Sequence, residues 1–188
     1  MNDKKQQLLE ASIDLFAREG FWNTPTARIA KHAGVATGTL FNYFPSKDAL
    51  IEAVYLHLSQ EWRTHVFAGY PNNGDVKSCL EHLWFRHIDW AVHFPAHYAL
   101  KQQLKLSDLL SAETLNGHSE DLSMIYALVQ GGFGAGLFVE ITVEFFNSLF
   151  LAEVDAAVQY ALAQELKDMA LTKLIALSFN IFWTGVTK

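Results

Sequence analysis

Residues 34–44 read GVATGTLFNYF. On a helix starting near residue 36, Thr37, Gly38, Thr39 and Asn42 gather on one side. Hydroxyls and a carboxamide are short donors and acceptors, suited to base edges and phosphate oxygens. Glycine adds no bulk and lets another surface approach closely. The spacing suits recognition of a polar polymer, not bond making.

No catalytic arrangement competes with it. GGFGAG at 131–136 is not a GxGxxG loop, because Leu137 stands where the third glycine belongs and no strand precedes it. GxSxG is absent, and no two acids pair at a useful spacing. His93 and His97 are four apart, but Pro95 between them breaks the helix a metal site would need. His82 and His87 complete no ligand pattern. No metal, no cofactor and no catalytic residue is expected. The single cysteine, Cys79, excludes an internal disulfide framework and reads as a small apolar residue.

The polar side needs elements to hold it. The chain has 188 residues, 51% hydrophobic and 18% charged, enough to build a core with apolar surface left for a partner or ligand. Net charge is −6, unevenly spread: residues 1–50 carry six Lys/Arg against five acids, and the rest carry eight against fifteen. The N-terminal part tolerates a polyanion, and the body repels one. The start is polar, with no signal peptide, which fits the cytoplasm. Residues 122–139 carry no formal charge over 18 positions, but four glycines and flanking acids favour a buried helix ending in a bend over a membrane span.

Periodicity is helical throughout, with no sustained alternation and hence no sheet expected. Leu9, Ile13, Phe16 and Ala17 mark a helix over 3–19 that Gly20 stops. Thr24 is the expected N-cap of a helix over 25–32, with Pro25 at its first position. Gly34 separates it from a second short helix over 36–43. Ser46 caps a long helix over 46–67, which ends before the loop from Tyr70 to Gly74. Further helices are expected at 75–93, 96–106, 120–132, 142–163 and 165–184, with a polar connection from Ser107 to Gly117.

Two short helices around a glycine turn form a helix-turn-helix, whose second helix must present small and polar side chains to a major groove about 12 Å wide. Val35, Leu40 and Phe44 would face a core with Phe16 and Ile29. Thr37, Gly38, Thr39, Phe41, Asn42 and Tyr43 would lie toward DNA. Here the sequence resembles the TetR family of transcriptional regulators, in LLEASIDLFAREGFWNT and IAKHAGVATGTLFNYFPSKDAL, across residues 8–54.

The resemblance implies an all-α fold. Residues 1–48 would form a three-helix helix-turn-helix DNA-binding domain and residues 49–188 a helical ligand-binding and dimerisation domain. It implies phosphate contacts for Thr39 and Lys47 and a base or phosphate contact for Arg28. Asn42 and Tyr43 fall on the variable pair that touches bases or backbone. Phe41 stands where a tyrosine is common, Thr37 where a Lys or Arg is frequent, and Thr26 where an apolar residue is usual. It also implies an apolar effector cavity, for which Trp62, Trp84, His87, Ile88, Trp90, Phe94, Tyr98, Gln102, Tyr126 and Gln130 are candidates. Phe145, Phe146, Leu149, Val154, Ala157, Val158, Ala161, Leu174, Leu177 and Ile181 are candidates for a homodimer interface. The expected partners are a roughly palindromic double-stranded operator, a small mostly apolar effector and a second copy of the chain, with no membrane. A repressor fits this pattern; an activator fits the same residues. The alternative from another class is a small all-α enzyme or carrier using the aromatic, His-containing cavity.

Overall fold

The computed structural model describes residues 3–71, 74–115 and 120–188. Ten helices are present among them: α1 (Asp3–Glu19), α2 (Thr26–His32), α3 (Thr37–Tyr43), α4 (Lys47–Val66), α5 (Val76–His93), α6 (Pro95–Lys105), α7 (Ala112–Leu115), α8 (Glu120–Gly134), α9 (Val143–Ala163) and α10 (Asp168–Val186). No strand occurs among the described residues. One isolated antiparallel bridge joins Phe138 to Thr187. The fold is all-α, as the 3.6-residue periodicity requires.

Packing divides the chain into two units, Met1–Trp62 with Phe94–Gly117, and Arg63–His93 with His118–Lys188. In the first unit α1 buries Leu8, Leu9, Ile13, Leu15 and Phe16. Ile29 of α2, Leu40 of α3 and Phe44 just beyond it close on the same cluster, with Val35 packed at its edge. From α4, Leu50, Ile51, Val54 and Leu58 join it, and from α6, Leu100 and Leu104. This packing unit therefore runs past residue 48, the boundary expected from role.

Local chemistry sets the helix ends. Gly20 has φ +80°, and its N–H reaches the Phe16 carbonyl at 2.9 Å, closing α1 with a left-handed residue. Gly34 does the same work between α2 and α3 at φ +69°. Ser46 Oγ accepts the Ala49 N–H at 3.0 Å and caps α4. Thr24 departs from expectation. Pro25, not Thr24, is the N-cap of α2, with no side-chain cap bond. The Thr24 hydroxyl is buried and donates backwards to the Gly20 carbonyl at 2.8 Å, closing the turn instead.

The polar connection after α6 contains the one-turn helix α7; Asn116 and Gly117 at its end lie outside the described residues. So do Asn72 and Asn73 of the loop before α5.

In the second unit α5, α9 and α10 pack together around Trp84. Its ring centroid lies 5.2 Å from Phe150, 5.7 Å from Phe179 and 5.2 Å from Phe182. Its indole N–H donates to Ser178 Oγ at 3.0 Å. A second aromatic cluster joins Phe133, Phe138, Phe146 and Trp183. A Cβ on Gly132 would stand 2.6 Å from the Phe138 ring, so this glycine makes room for the ring.

The uncharged stretch 122–139 is a helix ending in a bend, as expected, but the helix is not buried. α8 ends at Gly134, the chain turns at Gly136 with φ +71°, and Met124 and Tyr126 are exposed. By length and composition alone α10 could cross a bilayer. One of its stripes, Leu171, Ile175, Phe179, Phe182 and Val186, is buried within the unit.

Candidate nucleic-acid interface

The first unit displays α3 because one side chain anchors it. Leu40 is fully buried, so the residues around it on the helix turn outward. Gly38, Phe41 and Asn42 are exposed, and Thr37, Thr39 and Tyr43 are half-buried. Tyr43 also packs on the rim of the core cluster. Nothing lies within 4 Å of where a Gly38 Cβ would be, so this glycine answers no packing demand inside the chain. Its φ is not left-handed either, and a glycine whose backbone suits alanine costs about 0.4–1 kcal/mol through the freedom it gives the unfolded chain.

The cations around α3 are already oriented. Arg28 on α2 pairs with Glu19 Oε1 at 2.7 Å. Lys47, at the first turn of α4, donates from Nζ to the Trp22 carbonyl at 3.1 Å. His32 meets Asp14 Oδ2 at 2.9 Å, and Lys31 is exposed. Arg28 and Lys47 are thus each engaged within the chain, Arg28 by a carboxylate that a phosphate would have to displace. Trp22 is the residue sequence reasoning passed over. It is 65% exposed, beside the buried Phe21. Two adjacent aromatics in a turn give no periodicity to say which faces out.

The description "Bacterial regulatory proteins, tetR family" matches residues 8–54, the span from α1 into α4. A solved structure from Shewanella sp. PV-4, assigned as a tetR family transcription regulator, superposes with a TM-score of 0.86. It is 32% identical in sequence, over 98% of each chain. The chain belongs to the TetR family. The TetR helix-turn-helix is α2 and α3, and the TetR proteins are transcription regulators, not enzymes.

Over 59 residues this TetR protein is 39% identical to the HTH-type transcriptional regulator LuxR of Vibrio harveyi, 31% of this chain and 29% of that one. Over 92 residues it is 29% identical to the nucleoid occlusion factor SlmA of Actinobacillus pleuropneumoniae serotype 5b (strain L20), 48% of this chain and 46% of that one. The alignments span less than half the length of these two relatives.

The effector candidates fall in both units. Trp62, Phe94, Tyr98 and Gln102 belong to the first, and Trp84, His87, Ile88, Trp90, Tyr126 and Gln130 to the second. Trp84, Ile88, Trp90 and Tyr98 are buried. Lys101 Nζ stands 5.2 Å over the Trp62 ring. Phe94 is exposed and stacks on His97 at 5.8 Å. Tyr126 and Gln130 are exposed on α8, with the amide of Gln130 donating to the Tyr126 oxygen at 2.8 Å. His87 and Gln102 are half-buried. A groove of about 390 Å³ in the second unit is lined by other residues, among them Phe85, Asp89, His93 and Lys167.

Among the described residues no group of His, Cys, Asp or Glu is placed to hold a metal. His93 meets Asp89 at 3.2 Å and His97 meets Glu61 at 3.0 Å. Burial pushes the Tyr70 phenol up beside Cys79, and pushes the His82 imidazole down. Both belong to the second unit.

Of the dimer candidates, Phe146, Val154, Ala157, Val158 and Ala161 are buried inside the chain itself, and their surface is already spent there. Leu149 and Leu174 are half-buried, and Phe145, Leu177 and Ile181 are exposed. α9 and α10 are apolar on more than one face, so composition could not separate the inward stripe from the outward one.

Proposed function

We propose that this TetR protein is a repressor that binds a roughly palindromic operator as a homodimer and is released by a small, mostly apolar effector. Residues 1–48 bind DNA; residues 49–188 bind the effector and the second subunit. The protein works in the cytoplasm. The observation that carries the proposal is the outward face of α3: a polar, sterically open surface set on one buried leucine, with Arg28 and Lys47 held beside it. Thr37, Thr39 and Lys47 contact phosphate. Asn42 and Tyr43 read bases or backbone, and Gly38 and Phe41 lie against the groove. Effector binding shifts the dimer toward a state whose recognition helices no longer match the operator spacing.

The test is a titration against DNA from upstream of its own gene and against fragments selected from genomic DNA, at two salt concentrations. Tight, salt-sensitive binding above that for random DNA is expected. Asn42→Ala should lose about 10-fold to 100-fold on the selected fragments, and little on random DNA. Selection that enriches no fragment would sink the proposal.

Gly38→Ala separates stability from binding. Stability should rise by about 0.4–1 kcal/mol, since the backbone suits alanine and the methyl meets nothing within the chain. Operator affinity should fall about tenfold, since the methyl intrudes on the groove. Thermal melts and the same titration check both. A variant that binds as well as the parent would mean that DNA does not approach this part of α3.

A further inference from the structure

We propose that Trp22 is a DNA-backbone contact, its indole N–H donating to a phosphate oxygen beside the Lys47 ammonium. The inference rests on the DNA-binding reading of the first unit and adds a residue outside the helix-turn-helix.

Trp22 is 65% exposed, a large apolar area to leave in water. It is not left there by slack in the chain. The turn that carries it is tied at each step. The Asn23 N–H reaches the Gly20 carbonyl at 3.3 Å, and the Thr24 hydroxyl reaches the same carbonyl at 2.8 Å. The Trp22 carbonyl accepts from Lys47 Nζ at 3.1 Å, and the Trp22 ring leans on Phe21 at 4.9 Å. Phe21 is itself buried against Phe16. An outward aromatic on a backbone tied in this way suits a binding anchor, because the turn itself need not be ordered when a partner arrives.

The partner's chemistry follows from the neighbours. Indole offers one donor and no acceptor. An ammonium offers three donors, and one of Lys47's is on the Trp22 carbonyl. Lys47 also opens α4, a helix of 20 residues whose first turn adds partial positive charge. Donors of this kind, one on the turn and one reaching it from the start of α4, match a phosphate oxygen and mismatch an apolar protein surface. The contact carries no base information; it fixes the register of α3 on the duplex.

The test compares the parent with Trp22→Phe, Trp22→Ala, Lys47→Gln and Asn42→Ala, on genomic fragments selected by the parent and on random DNA, across a salt series. Both Trp22 variants should weaken binding about fivefold to tenfold on selected and random DNA alike. Their salt slope should stay close to the parent's, because a neutral donor releases no counterion. Lys47→Gln should lower the slope by about 0.9, and Asn42→Ala should act on selected DNA alone. Trp22→Phe keeps a ring against Phe21, so it reports on the N–H even if the alanine variant melts early. Binding by Trp22→Phe within twofold of the parent overturns the inference while the parent's own binding stands. A parent that selects no DNA overturns the reading beneath it as well.

Discussion

Trp84→Ala should remove about 3–5 kcal/mol of folding stability, the range for truncating a fully buried large aromatic. Three features put it at the upper end. The ring is fully buried and touches Phe150, Phe179 and Phe182 on two other helices, α9 and α10. The hole would open where α5, α9 and α10 meet, and three packed helices cannot collapse onto it together. The Ser178 hydroxyl would also lose the indole N–H it now accepts. Against a typical domain stability of about 5–15 kcal/mol, this is a large share. In urea the midpoint should fall by about 2 M at an ordinary slope. Trp84→Phe refills much of the volume and removes only the indole bond to a hydroxyl that still donates to the Ile175 carbonyl, so its loss should be under half as large. A midpoint shift below about 0.5 M for the alanine variant would show that the second unit is not built around this ring.

The second large effect concerns assembly. Leu177 is 59% exposed and Ile181 is 58% exposed, four residues apart and so on one face of α10. If that face forms a two-fold interface, the double variant Leu177→Glu with Ile181→Glu brings four carboxylates together where apolar surface should close. The expected product is a folded monomer at micromolar concentration, seen by sedimentation or light scattering, with its helical signal kept. Operator affinity should then drop by about 10²–10⁴, because each half-site would be bound singly and the second contact would no longer be intramolecular. Phe146→Glu is the contrasting control. Phe146 is fully buried among Phe133, Phe138 and Phe182, so a charge there should break the fold itself. A double variant that still sediments as a dimer would move the interface off α10.

These two sites also show what a sequence can and cannot convey. Helix ends were legible because their causes are local: Gly20 and Gly34 in left-handed turns, Ser46 at a cap, Pro95 at the break between α5 and α6. The α3 surface was legible for the same reason, since one buried leucine in seven residues dictates which side faces out. α9 and α10 were not, because Phe145 and Phe146 are neighbours of equal apolarity and only packing sends one outward and one inward. Thr24 was misread because a threonine before a proline suits a cap or a turn closure equally well, and tertiary burial decided for the turn. Trp22 was missed because it lies outside any helical period. The effector candidates carry no such local signal: they lie on separate helices and share no spacing in the chain.

Gly132 and Phe138 leave a trace beyond this one molecule. The ring occupies the space where any other residue's first carbon would stand, and it is wedged among Phe133, Phe146 and Trp183 with nowhere to retreat. Position 132 cannot enlarge while the ring is there. Across descendants of this gene the two positions should covary, a larger residue at 132 surviving only in lineages where 138 has already shrunk.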